Sequence, residues 1–246
     1  MNVRFADCRY DLADPAAARA RYLDGHIPGA VFVDLDTDLS DLSVPAEIGG
    51  RHPLPSAGRF AESMSRAGIG DDTLVVAYDE GMTGGAARLW WLLRHFGHDD
   101  VAVLDGGLQA WLGPLRGGEE DVEPATFTPR ERTGDTVTTD ELLKRLDDAD
   151  LVLLDARPAD RYRGEAAGLD PVAGRIPGAL NAPSTTGRVI ELPAAALDAP
   201  EVVAYCGSGV MACAALLALD RAGRAGRLYP GSWSEWSRRG LPAEKG

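Results

Sequence analysis

Tyr205-Cys206-Gly207-Ser208-Gly209-Val210-Met211-Ala212 marks the point where an apolar strand gives way to a helix, with a cysteine at the junction. Upstream, Glu201-Val202-Val203-Ala204-Tyr205 is short and rich in β-branched residues, the pattern of a buried strand. Downstream, Ala212-Cys213-Ala214-Ala215-Leu216-Leu217-Ala218-Leu219 is built from strong helix formers. The two glycines and the serine between them let the backbone curl and turn its N–H groups inward. A thiol placed there faces unpaired amide donors and the positive end of a helix dipole. Both favour the thiolate, which is the nucleophilic form. A lone cysteine is commonly a buried structural residue, but this setting favours a reactive one.

The chain repeats itself. Asp7-Cys8-Arg9 followed by Gly25-His26-Ile27-Pro28-Gly29-Ala30 matches Asp155-Ala156-Arg157 followed by Gly174-Arg175-Ile176-Pro177-Gly178-Ala179. Val75-Val76-Ala77-Tyr78-Asp79 matches Val202-Val203-Ala204-Tyr205-Cys206, and Leu104–Trp111 matches Tyr229–Trp236. Repeats this long predict tandem domains rather than a solenoid or propeller. The expected division is a first domain over 1–115 that lacks the nucleophile, a linker over 116–136, and a catalytic domain over 137–246. Asp79 stands where the second copy has Cys206, and the first copy carries an insertion with Asp34-Leu35-Asp36, Gly49-Gly50-Arg51-His52-Pro53 and a helical 57–67. In each copy apolar strands alternate with helical patterns. That predicts an α/β fold, a mostly parallel sheet with helices on both faces, and a ligand site at the C-terminal ends of the strands. Prolines at 114, 124 and 129 with Gly117-Gly118-Glu119-Glu120-Asp121 predict an extended, solvated linker.

With 246 residues, each domain is large enough for its own core. A net charge of -13 argues against nucleic acid or an anionic membrane as partner. No apolar run approaches the length of a membrane helix and no secretion signal is evident, so a cytoplasmic location is expected. Cys8, Cys206 and Cys213 have no metal spacing, and the four histidines at 26, 52, 95 and 98 are scattered, so neither a metal nor a cofactor is expected. Cys8 and Cys213 read as small buried core residues.

These residues together resemble the tandem-domain rhodanese sulfurtransferases over nearly the whole chain. The Cys206-Gly207-Ser208-Gly209-Val210 loop is similar to that of the 3-mercaptopyruvate branch; the thiosulfate branch has basic residues after the cysteine. The two Pro-Gly-Ala blocks, the Asp105-Gly106-Gly107 turn and Gly231-Ser232-Trp233-Ser234-Glu235-Trp236 support it, whereas Met211 departs from the threonine usual in that branch. The resemblance implies that a small-molecule donor passes its outer sulfur to Cys206. A thiol, a thioredoxin-like dithiol or cyanide then removes it, in ping-pong fashion. Inward amides over Gly207, Gly209, Val210, Met211 and Ala212 would hold the anionic sulfur. A monomer or weak dimer is expected.

The resemblance also implies that Arg161 binds the donor carboxylate, as a guanidinium can with two parallel hydrogen bonds. Arg157 is expected to tie a strand end, and Arg163 fits either role. A second carboxylate-binding arginine is missing from Glu165–Pro171, which leaves Arg175 as the candidate replacement. Ser208 is expected to work with His52 and Asp36 as a proton relay. A cysteine phosphatase would need arginine as the sixth residue after the cysteine, and Ala212 stands there. A thiosulfate donor and a non-turnover sulfur carrier are the remaining alternatives.

Overall fold

The computed structural model describes residues 2–81, 84–184 and 190–246. In chain order the elements are β1 (Asn2–Asp7), α1 (Pro15–Asp24), β2 (Val31–Phe32), α2 (Ala46–Gly49), α3 (Ala57–Arg66), β3 (Thr73–Tyr78), α4 (Gly85–His95) and β4 (Val101–Val103). They continue with α5 (Thr139–Leu143), β5 (Leu151–Asp155), α6 (Ala159–Tyr162), β6 (Leu180–Asn181), α7 (Ala194–Asp198), β7 (Glu201–Tyr205), α8 (Val210–Arg221), β8 (Arg227–Leu228) and α9 (Ser232–Arg238). Two four-stranded parallel sheets result, ordered β2-β1-β3-β4 and β6-β5-β7-β8. The internal repeat is thus a repeat of topology. Val202, Val203, Ala204 and Tyr205 are all buried, as a strand covered on both faces requires. Helix α8 is apolar almost all round and buried from Ala212 to Leu219, so it packs as a core helix.

The chain divides into two compact units. One holds the residues up to Asp41 and Pro55–Arg132; the other holds Leu42–Leu54 and the described chain from Thr133 onward. This division differs from one drawn along the repeat. Leu42–Leu54 belongs by sequence to the first copy, yet it packs with the second unit. There the backbone at Gly50 (φ 74°) lies against the start of α9, where a Cβ would sit 2.4 Å from the Gly231 carbonyl oxygen. Residues 116–136 hold no helix or strand and are largely exposed, as an extended, solvated linker would be, and up to Arg132 the chain is also strapped along the first unit. The Ala125 amide donates to Ser65 O at 3.0 Å, that of Arg130 to Phe96 O at 2.8 Å, and that of Arg132 to His95 O at 2.7 Å. Phe127 is buried edge-on to Phe60, and that burial outweighs the freedom suggested by the polar composition around it.

The repeated motifs build the same buried knot twice. In the second unit Arg157 forks onto Asp155 (Nε 3.0 Å to both oxygens, Nη2 2.6 Å to Oδ2) and donates to Gly174 O at 2.7 Å. Its guanidinium also lies 4.7 Å from the Trp233 ring. The Ile176 amide donates to Tyr205 Oη at 3.1 Å. In the first unit Arg9, Asp7, Gly25, Ile27 and Tyr78 repeat the pattern, with the Tyr78 hydroxyl donating to Asp7 Oδ2 at 3.0 Å. Asp-x-Arg and Gly-x-Ile-Pro-Gly-Ala recur because together they close the C-terminal end of a sheet around an ion pair with no exposed edge. Arg157 therefore holds the strand end, as expected. Among the described residues no helix is long and apolar enough to cross a membrane.

Candidate active site

Strand β7 ends at Tyr205, and the chain turns through Cys206-Gly207-Ser208 to Gly209, whose φ of 79° lets the backbone enter α8 from a left-handed residue. The start of α9 fixes the outward side of this turn. The Cys206 amide donates to Ser232 Oγ at 3.1 Å, the Trp233 amide to Cys206 O at 2.9 Å, and the Ser234 amide to Gly207 O at 3.0 Å. With the loop carbonyls engaged there, no described residue takes the amides of Gly207, Ser208, Val210 or Ala212. Helix α8 adds its dipole to these donors. The Gly231–Trp236 block thus serves the cysteine directly.

The first unit shows what such a turn holds. Asp79 stands in the place of Cys206, before α4, and its carboxylate accepts from the amides of Gly81 (2.9 Å), Gly84 (3.1 Å) and Ala86 (3.3 Å). A turn of this design is an anion cradle. In one copy the anion is the protein's own side chain.

Cys206 is buried, with 2% of its surface exposed. The other two cysteines are engaged elsewhere. Cys213 Sγ donates to Gly209 O at 3.2 Å, bracing the left-handed turn. Cys8 is buried among carboxylates, and burial followed by Asp7 pushes its thiol well up, away from the nucleophilic form. All three are free thiols, and no described group of His, Cys, Asp and Glu is arranged to hold a metal ion.

Ser208 and His52 are brought together: His52 Nδ1 lies 2.8 Å from Ser208 Oγ, both buried, and both belong to the second unit. The histidine gets there because Leu42–Leu54 packs on that unit. Asp36 belongs to the first unit, in the turn after β2, where its amide donates to Asp34 Oδ1 at 2.9 Å. Val210, Met211 and Ala212 form the first turn of α8, which begins two residues before the Ala212–Leu219 helical pattern read from sequence.

Arg161, on α6, lies against Gly168, where a Cβ would be 2.6 Å from its Cζ. Its guanidinium makes no hydrogen bond or ion pair with any described residue. Arg163 pairs with Glu165 at 2.7 Å on the surface. Arg175, the candidate second cation, is engaged at the end of the chain. It pairs with Glu244, donates to Gly246 O at 2.5 Å and stacks on Tyr162 at 4.4 Å, so it fastens the C-terminal segment rather than awaiting a substrate. A cation already matched to a carboxylate and packed on a ring has no fork left to offer.

Arg51 was missed from sequence. Its guanidinium pairs with Asp170 and lies over the thiol turn, where a Cβ on Gly207 would be 2.7 Å from Nη2. The only signal was its place beside His52. Glu235, at the start of α9, accepts from Thr139 Oγ1 and lies 3.3 Å from Arg239; burial pushes its carboxyl up.

A model of the rhodanese-like domain matches residues 2–113 and again 138–239. A Pseudomonas aeruginosa protein whose name assigns it to the 3-mercaptopyruvate sulfurtransferases is 43% identical, over 94% of this chain and 87% of its own. A Mycobacterium tuberculosis protein named for thiosulfate sulfurtransferase, SseB, is 39% identical over 96% of this chain and 88% of its own. The solved structure of 3-mercaptopyruvate sulfurtransferase from Leishmania major matches with a TM-score of 0.81 at 31% identity, covering 97% of this chain and 71% of that one.

Proposed function

The chain belongs to the rhodanese family of sulfurtransferases, and from that premise we propose that its donor is 3-mercaptopyruvate and its nucleophile Cys206. The Cys206 thiolate attacks the donor thiol sulfur, an S–S bond forms, and the C–S bond breaks with its electron pair going to carbon. The products are a Cys206 persulfide and the enolate of pyruvate; the enolate then takes up one proton to become pyruvate. The persulfide gives up its own proton and rests as an anion among the amides of Gly207, Ser208, Val210 and Ala212. An acceptor thiolate then attacks the outer sulfur and returns Cys206 as thiolate. A small thiol or the exposed dithiol of a thioredoxin-like protein suits this second half.

The observation that carries the choice of donor is the 2.8 Å contact between Ser208 Oγ and His52 Nδ1, in the loop that holds Cys206. A carbon leaving group needs a proton, and a hydroxyl backed by an imidazole supplies one. Sulfite leaving thiosulfate needs no such help. Arg161, with no partner among the described residues, is the proposed contact for the donor carboxylate.

Mass spectrometry after treatment with 3-mercaptopyruvate, without acceptor, tests the nucleophile. One added sulfur atom is expected on the peptide that contains Cys206, and none in Cys206→Ser. The added sulfur on Cys8 or Cys213, or turnover retained in Cys206→Ser, refutes the assignment. A kcat/KM for thiosulfate well above that for 3-mercaptopyruvate refutes the donor.

A further inference from the structure

Along α9, within the second unit, lies a cavity of about 520 Å³ that neither Cys206 nor its loop lines. Its apolar walls are Val44, Ile48, Pro53, Leu54, Val137 and Pro230. Small-molecule sites have this character: about 300–1,000 Å³, mostly apolar, with a few polar groups that converge. The polar groups here gather at one end. Tyr229 Oη lies 2.8 Å from Thr139 Oγ1, which donates to Glu235 Oε1, and Arg239 lies 3.3 Å from the same oxygen.

Glu235 Oε2 is left over. It lies over Gly231, in the space a Cβ there would fill, and makes no hydrogen bond with any described residue. The side chain is 7% exposed, and burial pushes its carboxyl up, the mark of a charge that its surroundings do not fully compensate. Arg239 does not balance it alone, because its Nη2 is also 2.6 Å from Asp140 Oδ1. Glu47 adds another carboxylate to the lining, paired with no described cation. One cation therefore serves three carboxylates around an apolar space. The repeated fold does not demand this, since Ala110 stands in the first copy where the second has Glu235.

We propose that this cavity binds a small amine carried on an apolar body, with Glu235 as the residue that meets the ammonium group. The ammonium donates to Oε2 and supplies the positive charge that Arg239 leaves unmatched. The apolar body lies against Val44, Leu54 and Val137, removing their surface from water. An anionic head would meet like charge at the polar end. None of the lining residues is assigned to the sulfur donor, so the proposal stands apart from the role of Cys206.

The test uses three probes of one shape: phenethylamine, the neutral phenethyl alcohol and the anionic hydrocinnamate. Calorimetric titration of the full chain at neutral pH gives each Kd, and backbone amide shifts at Gly49, Thr139 and Gly231 locate the site. The amine should bind about tenfold or more tightly than the alcohol, the scale of one charge-assisted hydrogen bond, and the carboxylate should bind most weakly. Glu235→Gln keeps the shape of the side chain and should remove that preference, leaving amine and alcohol alike. Val44→Trp, at a half-buried wall position, should fill the cavity and weaken all binding there. It keeps the test decisive if Glu235→Gln disturbs the fold, and melting temperatures check both variants. A chain of net charge -13 attracts cations over its whole surface, so an amine that binds both variants with native affinity overturns the proposal. Equal affinities for amine and alcohol in the native protein, or no binding of the amine at millimolar concentration, overturn it too.

Discussion

The Ser208–His52 contact can be tested by magnitude. If it only braces the loop, deleting it removes one buried neutral hydrogen bond, worth about 1 kcal/mol net. At about 1.4 kcal/mol per factor of ten, that is roughly a fivefold change in rate. If it delivers the proton to the departing enolate, general acid catalysis of about 10²–10⁴-fold is lost, or about 3–5 kcal/mol. The two cases differ by well over a factor of ten, so a rate measurement separates them. Ser208→Ala, His52→Ala and the double variant should each lower kcat/KM for 3-mercaptopyruvate by about a hundredfold or more. The double variant should be little worse than either single one, because a relay broken at one link gains no further loss from a second break. Thiosulfate supplies the control, since sulfite departs without taking a proton, and losses with it should stay near the fivefold structural scale. Steady-state kinetics with both donors, each variant first checked for its melting temperature, gives the answer. Losses that multiply in the double variant, or a thiosulfate loss equal to the 3-mercaptopyruvate loss, refute the relay and leave the contact a brace.

Replacing Arg161 with Ala should raise KM for 3-mercaptopyruvate about tenfold or more while affecting thiosulfate less, and unchanged donor kinetics would remove it from the site. Arg157→Lys keeps the charge but loses the fork onto Asp155 and the face of Trp233, at a cost of about 2–3 kcal/mol. Calorimetry should then show a melting temperature lower by roughly 5–10 °C, with the preference between donors retained. Glu235 has its carboxyl pushed up by burial, so its contribution to stability is full below the ordinary carboxylate range and declines as pH rises through the raised value. Glu235→Gln should flatten that decline, and melting curves from acid to neutral pH that keep the native slope would contradict it.

Much of the fold was legible because its signals were local and repeated. The strand before Cys206, the glycine-rich turn and the Ala/Leu helix after it each depend on a few adjacent residues, and the structure has all three. The Asp-x-Arg and Pro-Gly-Ala blocks appeared as text repeats, and they are two copies of one buried ion-pair knot. The less legible part was non-local. Nothing in Leu42–Leu54 states that it packs on the later unit, since Gly50 matches Gly231 only once α9 is in place. Arg51 was hidden for that reason. The pairing of Arg175 with Glu244 was equally hidden, because the two lie 69 positions apart in sequence. Composition indicated an extended, exposed linker, but not that Phe127, the one buried residue of 116–136, would anchor it.

The two copies together explain why the cradle is worth keeping without a nucleophile. In the first unit the cluster of inward amides would be a liability if left empty, since each buried unpaired donor costs about 1–3 kcal/mol. Asp79 removes that cost by spending its own carboxylate on three of them. In the second unit the residue in that place is a thiol, which is a weak acceptor, so the amides wait for an anion that arrives with the chemistry. A persulfide's outer sulfur lies one atom beyond Sγ, much as the carboxylate oxygens of Asp79 lie one atom beyond Cγ. The second cradle should therefore be better satisfied after sulfur transfer than before it. That asymmetry can be measured on each unit separately. Asp79→Asn should destabilise the protein by about 1–3 kcal/mol through loss of charge-assisted hydrogen bonds, with persulfide still found on Cys206. Loading Cys206 with sulfur should do the reverse, raising the melting temperature and slowing amide exchange at Gly207, Ser208, Val210 and Ala212. A persulfide form that melts no higher and exchanges those amides no more slowly than the free thiol would show that the loop does not hold the sulfur as an anion.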